Sequence, residues 1–173
     1  QKNRYRDIIP YDKNRVQLTP LNKPDDYIPT EEEEEGYINA SFIEYPPADA
    51  KYIAAQAPLN ATLDDWFHMI REHDVAVVVN LCKLIELGRV KCERYWPESV
   101  GKEEEFGEVS ATLTEEEHYN EYCRRCLKLR YIDGYEKDIV QLHYSEWPDH
   151  GCPTVETHVL NMIETFDKLH YMS

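Results

Sequence analysis

An aspartate in a short turn-like segment is the first residue of this sequence that could do chemistry. Asp149 stands in the stretch Trp147-Pro148-Asp149-His150-Gly151, between a predicted strand and a predicted helix. A carboxyl group on such a loop can swing over a bound substrate and protonate a leaving oxygen, which typically contributes about 10²–10⁴ in rate. Aspartates are also common in turns, so this residue taken alone is better explained as part of an ordinary Pro-Asp turn.

The five cysteines could supply thiol chemistry. Their number is odd and nothing marks the chain as secreted, so we expect reduced thiols. Cys123 and Cys126 have C-x-x-C spacing, but a zinc site of this kind needs a second ligand pair and a redox motif needs the start of a helix. The surrounding segment Tyr119–Tyr131 has the pattern of a strand. We therefore expect no metal and no cofactor.

The net charge of -15 argues against a nucleic-acid or membrane-surface binder. Part of this charge lies in the run Glu31–Glu35, which most simply forms an exposed, solvated loop. The sequence has no apolar run long enough to cross a bilayer and no N-terminal signal pattern. We expect a cytoplasmic segment that makes no direct contact with membranes.

Hydrophobic periodicity predicts the elements that must position these residues. The predicted strands are Tyr37–Ile43, Lys51–Gln56, Val75–Val79, Arg89–Trp96, Phe106–Leu113, Tyr119–Tyr131 and Asp138–Tyr144. The predicted helices are Thr62–His73 and Val155–Leu169. Several strands in succession with helices around them indicate an α+β domain, a mixed sheet flanked by helices.

Some of these elements carry more detailed expectations. Thr62 is a candidate N-cap of the first helix, with Asp65 three residues later. The apolar run Val75–Val79 suits a strand buried on both faces. Asp133-Gly134 predicts a turn between the last two strands. The apolar stripe of the second helix is formed by Val155, Val159, Met162, Ile163, Phe166 and Leu169.

Five stretches of the chain, taken together, carry a resemblance that none carries alone. They are Lys2-Asn3-Arg4-Tyr5-Arg6-Asp7-Ile8, Tyr37–Ile43, Tyr52–Leu59, Glu86–Pro97 and Gln141–Gly151. In this order they resemble the protein tyrosine phosphatases, the tyrosine-specific, cysteine-dependent family. The resemblance implies that family's fold, a mixed and highly twisted sheet flanked by helices.

The resemblance also implies roles for single residues. Asp149 would be the general acid that protonates the phenolate leaving group. Tyr5 would be the aromatic wall of a pocket deep enough for phosphotyrosine, and Asp7 would accept hydrogen bonds from substrate backbone N–H groups. In isolation, Tyr5 suits an ordinary half-buried tyrosine and Asp7 a turn residue.

Two further residues match a family loop beside the catalytic site. By resemblance, Glu86 would hold a phosphate-binding arginine and Lys91 would contact the acid loop that contains Trp147 and Pro148. The plainer interpretation of Glu86 and Lys91 is a surface hairpin with a weak ion pair, worth about 0–1 kcal/mol.

The family's nucleophile belongs to a His-Cys-x5-Arg string, and no cysteine of this sequence has that context. The chain also begins directly in its first motif and ends at Ser173, so we expect a single partial domain that is cut at both ends. The segment Pro29–Gly36 departs from the family pattern as an apparent insertion. We expect the 173-residue chain to be inactive by itself.

These observations leave three hypotheses open for the complete protein. The first is hydrolysis of phosphotyrosine in proteins through a cysteinyl-phosphate intermediate. The second is a pseudophosphatase that binds phosphotyrosine without catalysis, and the third is a scaffold without a phosphate site. The expected partners are phosphotyrosine-containing proteins, met in the cytoplasm by a soluble protein or by the cytoplasmic part of a receptor.

Overall fold

The computed structural model describes residues 1–19, 36–45 and 50–170. The run Glu31–Glu35, and all of the apparent insertion except Gly36, lie outside the described residues. The strands are β1 (Arg15–Gln17), β2 (Tyr37–Tyr45), β3 (Ala50–Ala55), β4 (Val77–Asn80), β5 (Ile85–Glu86), β6 (Arg89–Val90), β7 (Glu103–Phe106), β8 (Val109–His118), β9 (Cys123–Tyr131) and β10 (Glu136–His143). The helices are α1 (Leu63–Glu72) and α2 (Glu156–His170), and a 3-10 turn, Asn60–Thr62, precedes α1.

In the described parts of the chain, the strands form two sheets and one small hairpin. The larger sheet has the order β4-β10-β9-β8-β7, in which β4 and β10 are parallel and the other pairs are antiparallel. The smaller sheet, β1-β2-β3, is antiparallel, and β5 pairs with β6. This mixed sheet with flanking helices confirms the predicted α+β class.

The two helices cover opposite faces of the larger sheet. Phe67 and Ile70 of α1 pack in the main core together with Ile139 of β10. Leu142 lies three residues further along β10, on the opposite face, where it packs with Met162 of α2. Within the described ranges, neither helix is long and apolar enough to span a membrane.

The strand Val75–Val79 was predicted to be buried on both faces, and this prediction is wrong. The observed strand, β4, begins at Val77, and Val79 is 37% exposed. Among the described residues, β4 pairs only with β10 and therefore forms an edge of the sheet. A continuous apolar run does not distinguish such an edge from a central strand.

Two predicted strands are interrupted by turns. Only Arg89–Val90 of the predicted strand Arg89–Trp96 is strand. The predicted strand Phe106–Leu113 is a hairpin instead, because Gly107 has a φ of 65° and ends β7. A Cβ at Gly107 would lie 2.0 Å from Asp64 Oδ1, so another residue here would both displace the Asp64 carboxylate and adopt a strained positive φ.

Helix details also differ from the expectations. Thr62 occupies the N-cap position of α1, but its hydroxyl oxygen accepts the Leu59 N–H at 2.9 Å and makes no cap hydrogen bond to the helix. Asp65 instead pairs with Lys2 at 3.0 Å. Val155 lies one residue before α2, and both Val155 and Ile163 are more than 40% exposed, so neither belongs to the buried stripe of the helix.

The predicted turn at Asp133-Gly134 is present, and the strand predicted over Tyr119–Tyr131 begins later, at Cys123. The Asp133 carboxylate accepts the Tyr135 N–H at 3.1 Å, and Gly134 has a φ of 86°. Both features are typical of turns that join antiparallel strands.

A buried polar pair joins the larger sheet to the segment that follows the β5–β6 hairpin. Gln141 is fully buried, and its side-chain amide donates to the Tyr95 hydroxyl at 2.8 Å. We predict that Tyr95→Phe lowers the free energy of unfolding by about 1–3 kcal/mol, because the buried amide loses its acceptor. Urea denaturation of the purified protein measures this change.

Tyr11→Phe is the matched control. The Tyr11 side chain is 83% exposed, so loss of its hydroxyl should change the stability by no more than about 0.5 kcal/mol. Equal effects of the two substitutions would contradict the role assigned to the Gln141–Tyr95 hydrogen bond.

Candidate active site

The N-terminal segment, residues 1–8, is held against the small sheet by side-chain amides. Asn39 of β2 donates from its Nδ2 to Asn3 Oδ1 at 3.0 Å and to the Ile8 carbonyl at 2.8 Å. Gln56, just after β3, accepts the Arg4 N–H at 2.7 Å. These bonds fix the backbone on both sides of Tyr5.

The β5–β6 hairpin carries the next two candidate residues. Leu87 and Gly88 both have positive φ, at 49° and 74°, as a tight two-residue turn between antiparallel strands requires. Glu86 lies immediately before this turn, and Lys91 lies just after the second strand. The hairpin therefore brings an acidic and a basic side chain to one place.

The loop between β10 and α2 closes on itself. The indole nitrogen of Trp147 donates to the Gly151 carbonyl at 3.1 Å. His150 has a φ of 58°, which is uncommon for a residue with a side chain. Pro148 packs against Gly151, where an added Cβ would lie 2.9 Å from the Pro148 ring. This turn presents Asp149 at its tip.

These three segments meet at a cavity of about 650 Å³. The ends of β3 and β4 and the residues after the hairpin complete its walls. Its polar and charged lining residues include Arg4, Tyr5, Glu86, Lys91, Asp149 and His150. A volume of this size suits a small organic group.

One carboxylate oxygen joins the three segments. Asp149 Oδ2 accepts the Tyr5 hydroxyl at 2.8 Å and lies 2.6 Å from Lys91 Nζ. Lys91 Nζ also donates to the Tyr5 oxygen at 2.6 Å. In addition, the Asp149 backbone N–H faces both Glu86 carboxylate oxygens at 3.3 Å.

This contact shifts the titration of both charged partners. The hydrogen bond from Lys91, followed by that from Tyr5, lowers the pKa of Asp149 to about 2. The hydrogen bond to Asp149 raises the pKa of Lys91. At neutral pH, Asp149 is therefore an ionised carboxylate in this arrangement, and it can donate a proton only after these partners have moved away.

Asp7 is separate from this cluster. The Asp7 side chain is exposed, and Asp7 is not one of the described residues that line the cavity. The structure thus brings together Tyr5, Glu86, Lys91 and Asp149, framed by Trp147 and Pro148, and leaves Asp7 on the surface two residues beyond Tyr5.

Several residues that line the cavity had no role in the sequence analysis. Arg4 lies at the cavity and donates from its guanidinium group to the Ala57 carbonyl at 2.8 Å. Asn80 Oδ1 accepts the Cys82 thiol at 3.2 Å, and its Nδ2 lies 3.7 Å from Cys92 Sγ. The neighbouring Cys82 thiol and burial raise the pKa of Cys92, which is therefore a neutral thiol at this wall.

The sequence could have indicated that Arg4 lies at the site, because Arg4 directly precedes Tyr5. No sequence pattern indicated that Cys82 and Asn80 line the cavity. They reach the cavity because β4 ends there, and the position of that end follows from the parallel pairing of β4 with β10.

The fold and this site define a class of protein. The sequence profile of the family Protein-tyrosine phosphatase matches residues 1–172. The chain therefore belongs to the protein-tyrosine phosphatase family.

Particular relatives agree with this assignment. The chain is 36% identical over 168 residues to human tyrosine-protein phosphatase non-receptor type 12, a match that covers 97% of the chain and 20% of the relative. It is 38% identical to mouse tyrosine-protein phosphatase non-receptor type 18, covering 94% of the chain and 34% of the relative. The crystal structure of the catalytic domain of the human type 18 protein matches with a TM-score of 0.83 at 36% identity, covering 98% of this chain and 57% of that one.

The matched region is only part of each relative. The chain spans about a fifth to a third of these curated relatives and somewhat more than half of the solved catalytic domain.

The shifted pKa of Asp149 gives a direct prediction. Replacing Lys91 removes the largest cause of the shift, so in Lys91→Met the pKa of Asp149 should rise from about 2 toward its ordinary value of about 3.9. A carboxyl ¹³C NMR titration of the purified protein measures it. In the control Lys83→Met, whose ammonium group lies 3.9 Å from Glu146, the pKa of Asp149 should not change.

The same shift links stability to pH. Because folding lowers the pKa of Asp149, its contribution to stability is complete above about pH 4 and disappears as the pH falls toward 2. The stability difference between the unmodified protein and Lys91→Met should therefore shrink over this range in urea denaturation. A difference that stays constant from pH 6 to pH 2 would show that Lys91 does not act through Asp149.

Proposed function

We propose that the protein containing this chain hydrolyses phosphotyrosine in other proteins through a cysteinyl-phosphate intermediate. The observation that carries this proposal is the Tyr5–Lys91–Asp149 cluster in the lining of the cavity. The cluster places a carboxyl group, a cation and an aromatic side chain together at one wall. Because the chain belongs to the protein-tyrosine phosphatase family, we interpret this arrangement as part of a site for phosphotyrosine hydrolysis.

Asp149 is the general acid of the proposed reaction. A phenolate departs more easily when an acid protonates the bridging oxygen as the P–O bond breaks. In the present arrangement Lys91 and Tyr5 keep Asp149 ionised. An incoming phosphate dianion attracts the Lys91 ammonium and repels the carboxylate, and both effects raise the pKa of Asp149 and allow it to carry a proton.

Tyr5 and Asp7 are the proposed substrate-binding residues. The Tyr5 ring lines the cavity, where it can pack against the ring of phosphotyrosine. The depth of such a slot favours phosphotyrosine over the shorter phosphoserine. Asp7 is exposed two residues away, so its carboxylate is accessible to backbone N–H groups of a bound peptide.

Glu86, Lys91, Trp147 and Pro148 support the acid in this proposal. Lys91 neutralises phosphate charge, and Glu86 holds the loop through the Asp149 N–H until a phosphate-binding arginine takes its carboxylate. Such an arginine and the attacking thiolate belong to a His-Cys-x5-Arg string, which the 173 residues do not contain. This chain therefore supplies the acid side of the site.

The proposed partners are phosphotyrosine-containing proteins. A solved relative, PTPN18, is described in complex with HER2 phosphopeptides, which supports this class of ligand for the present site. We further propose that the domain works in the cytoplasm, either in a soluble protein or in a receptor, since its relatives include non-receptor and receptor-type phosphatases.

Replacing the acid tests the central role. In the complete protein, Asp149→Asn should lower kcat for a phosphotyrosine peptide by about 10²–10⁴ while the dissociation constant of the peptide changes little. Steady-state kinetics and binding to a non-hydrolysable phosphonate peptide give the two values. The control is Asp12→Asn, at a fully exposed side chain, which should leave kcat unchanged.

A loss of peptide binding at unchanged kcat would contradict the assignment of Asp149. If the complete protein has no measurable kcat but binds the peptide, the pseudophosphatase hypothesis replaces the proposal.

The chain alone should behave differently from the complete protein. Because it lacks the nucleophile and the arginine, we predict no turnover of an aryl phosphate by the purified 173-residue chain. Release of the coloured phenolate from p-nitrophenyl phosphate is the measurement. Steady release above the buffer rate, lost in Asp149→Asn, would mean that another residue of this chain attacks phosphorus.

A further inference from the structure

The end of the β8–β9 hairpin gathers three side chains that commonly bind metals. His118 of β8 lies directly opposite Cys123 of β9. Glu116 is two residues before His118 and therefore lies on the same face of the strand. One ligand atom from each of the three side chains lies within 4.8 Å of the other two. The register of this strand pair thus brings a carboxylate, an imidazole and a thiol close together.

The spacing of the Glu116 and His118 ligand atoms is close to that of a tetrahedral zinc site. Bond lengths of about 2.0–2.3 Å place the ligand atoms of such a site roughly 3.3–3.6 Å apart. Glu116 Oε1 and His118 Nε2 are 3.0 Å apart. The Cys123 sulfur lies within 4.8 Å of the other two ligand atoms, so it must move closer to them when an ion binds.

Neighbouring side chains orient Glu116 and leave His118 open to solvent. Arg125 binds the second Glu116 oxygen, Oε2, at 2.5 Å and leaves Oε1 facing His118. Arg125 is itself anchored by Gln141 Oε1 at 3.0 Å. Cys123 is buried, whereas the His118 side chain is 69% exposed, so an ion can enter from the solvent side.

The charges are compatible with a divalent ion. Arg125 places one positive charge beside the cluster and opposes a bare cation. Once ion binding has displaced the proton of the Cys123 thiol, the thiolate and the carboxylate of Glu116 together balance the two charges of the ion. A structural role follows, because such an ion would tie the last residue of β8 to the first residue of β9.

We propose that Glu116, His118 and Cys123 form a site for a divalent transition-metal ion of the zinc type, with water as the fourth ligand. On binding, the Cys123 thiol releases its proton to solvent, and His118 coordinates as neutral imidazole. The sulfur and nitrogen ligands favour zinc-like ions over Mg²⁺ or Ca²⁺. Cys126 takes no part, since it points to the opposite face of β9, so the C-x-x-C spacing is incidental.

Cobalt titration of the purified protein tests the site, because Co²⁺ replaces Zn²⁺ and its thiolate complexes absorb in the near ultraviolet. We expect a sulfur-to-cobalt charge-transfer band that Zn²⁺ abolishes and Mg²⁺ does not. Cys123→Ser should remove the band. His118→Ala alters an exposed side chain, which the fold tolerates, and should weaken Co²⁺ binding at least about tenfold.

Two other cysteines provide the controls. Cys126→Ser, in the same strand, and Cys152→Ser, at an exposed position, should both leave the band and its midpoint unchanged. The proposal is overturned if the unmodified protein shows no band, if the band has the same midpoint in His118→Ala, or if either control substitution removes it.

Discussion

The contact of one Asp149 carboxylate oxygen with the Tyr5 hydroxyl and the Lys91 ammonium group is the interaction on which the site depends. Tyr5 and Lys91 lie 144 and 58 residues away from Asp149 in the chain. Each reaches the contact from a separate support: the N-terminal segment clamped by Asn39 and Gln56, and the tight β5–β6 hairpin. Without this contact, the Asp149 loop would keep its backbone contact with Glu86 of the hairpin, and its tie to Tyr5 would be lost.

The same contact opposes the chemistry proposed for it. The positive charge of Lys91 at 2.6 Å helps to hold the loop in place, and it is also the largest cause that keeps Asp149 ionised. A general acid must be protonated, so the proposed reaction requires Lys91 to exchange Asp149 for the phosphate. Substrate binding would thereby allow Asp149 to take up a proton, and it would also remove one restraint on the loop that carries Asp149.

The sequence predicted the parts of this site better than their arrangement. Strand and helix periodicity located most elements, and the motifs around Tyr5, Lys91 and Asp149 identified the residues that meet. It could not predict that β4 would lie at an edge of the described sheet, because an apolar run has the same pattern in either position. It also missed the turn at Gly107, which depends on the approach of Asp64 from a distant helix, and the shared carboxylate oxygen, which depends on side-chain geometry. Local pattern sets local structure, whereas these features arise from tertiary packing.

The central claim is that Tyr5 and Lys91 restrain the loop through Asp149, and amide hydrogen exchange at the loop tests it most directly. The amide hydrogens of Trp147, Asp149, His150 and Gly151 should exchange faster in Tyr5→Phe than in the unmodified protein, with the largest change at the Asp149 N–H, which faces Glu86. Exchange in the central strand β9 should not change. Equal exchange at the Asp149 N–H in both proteins would contradict the account.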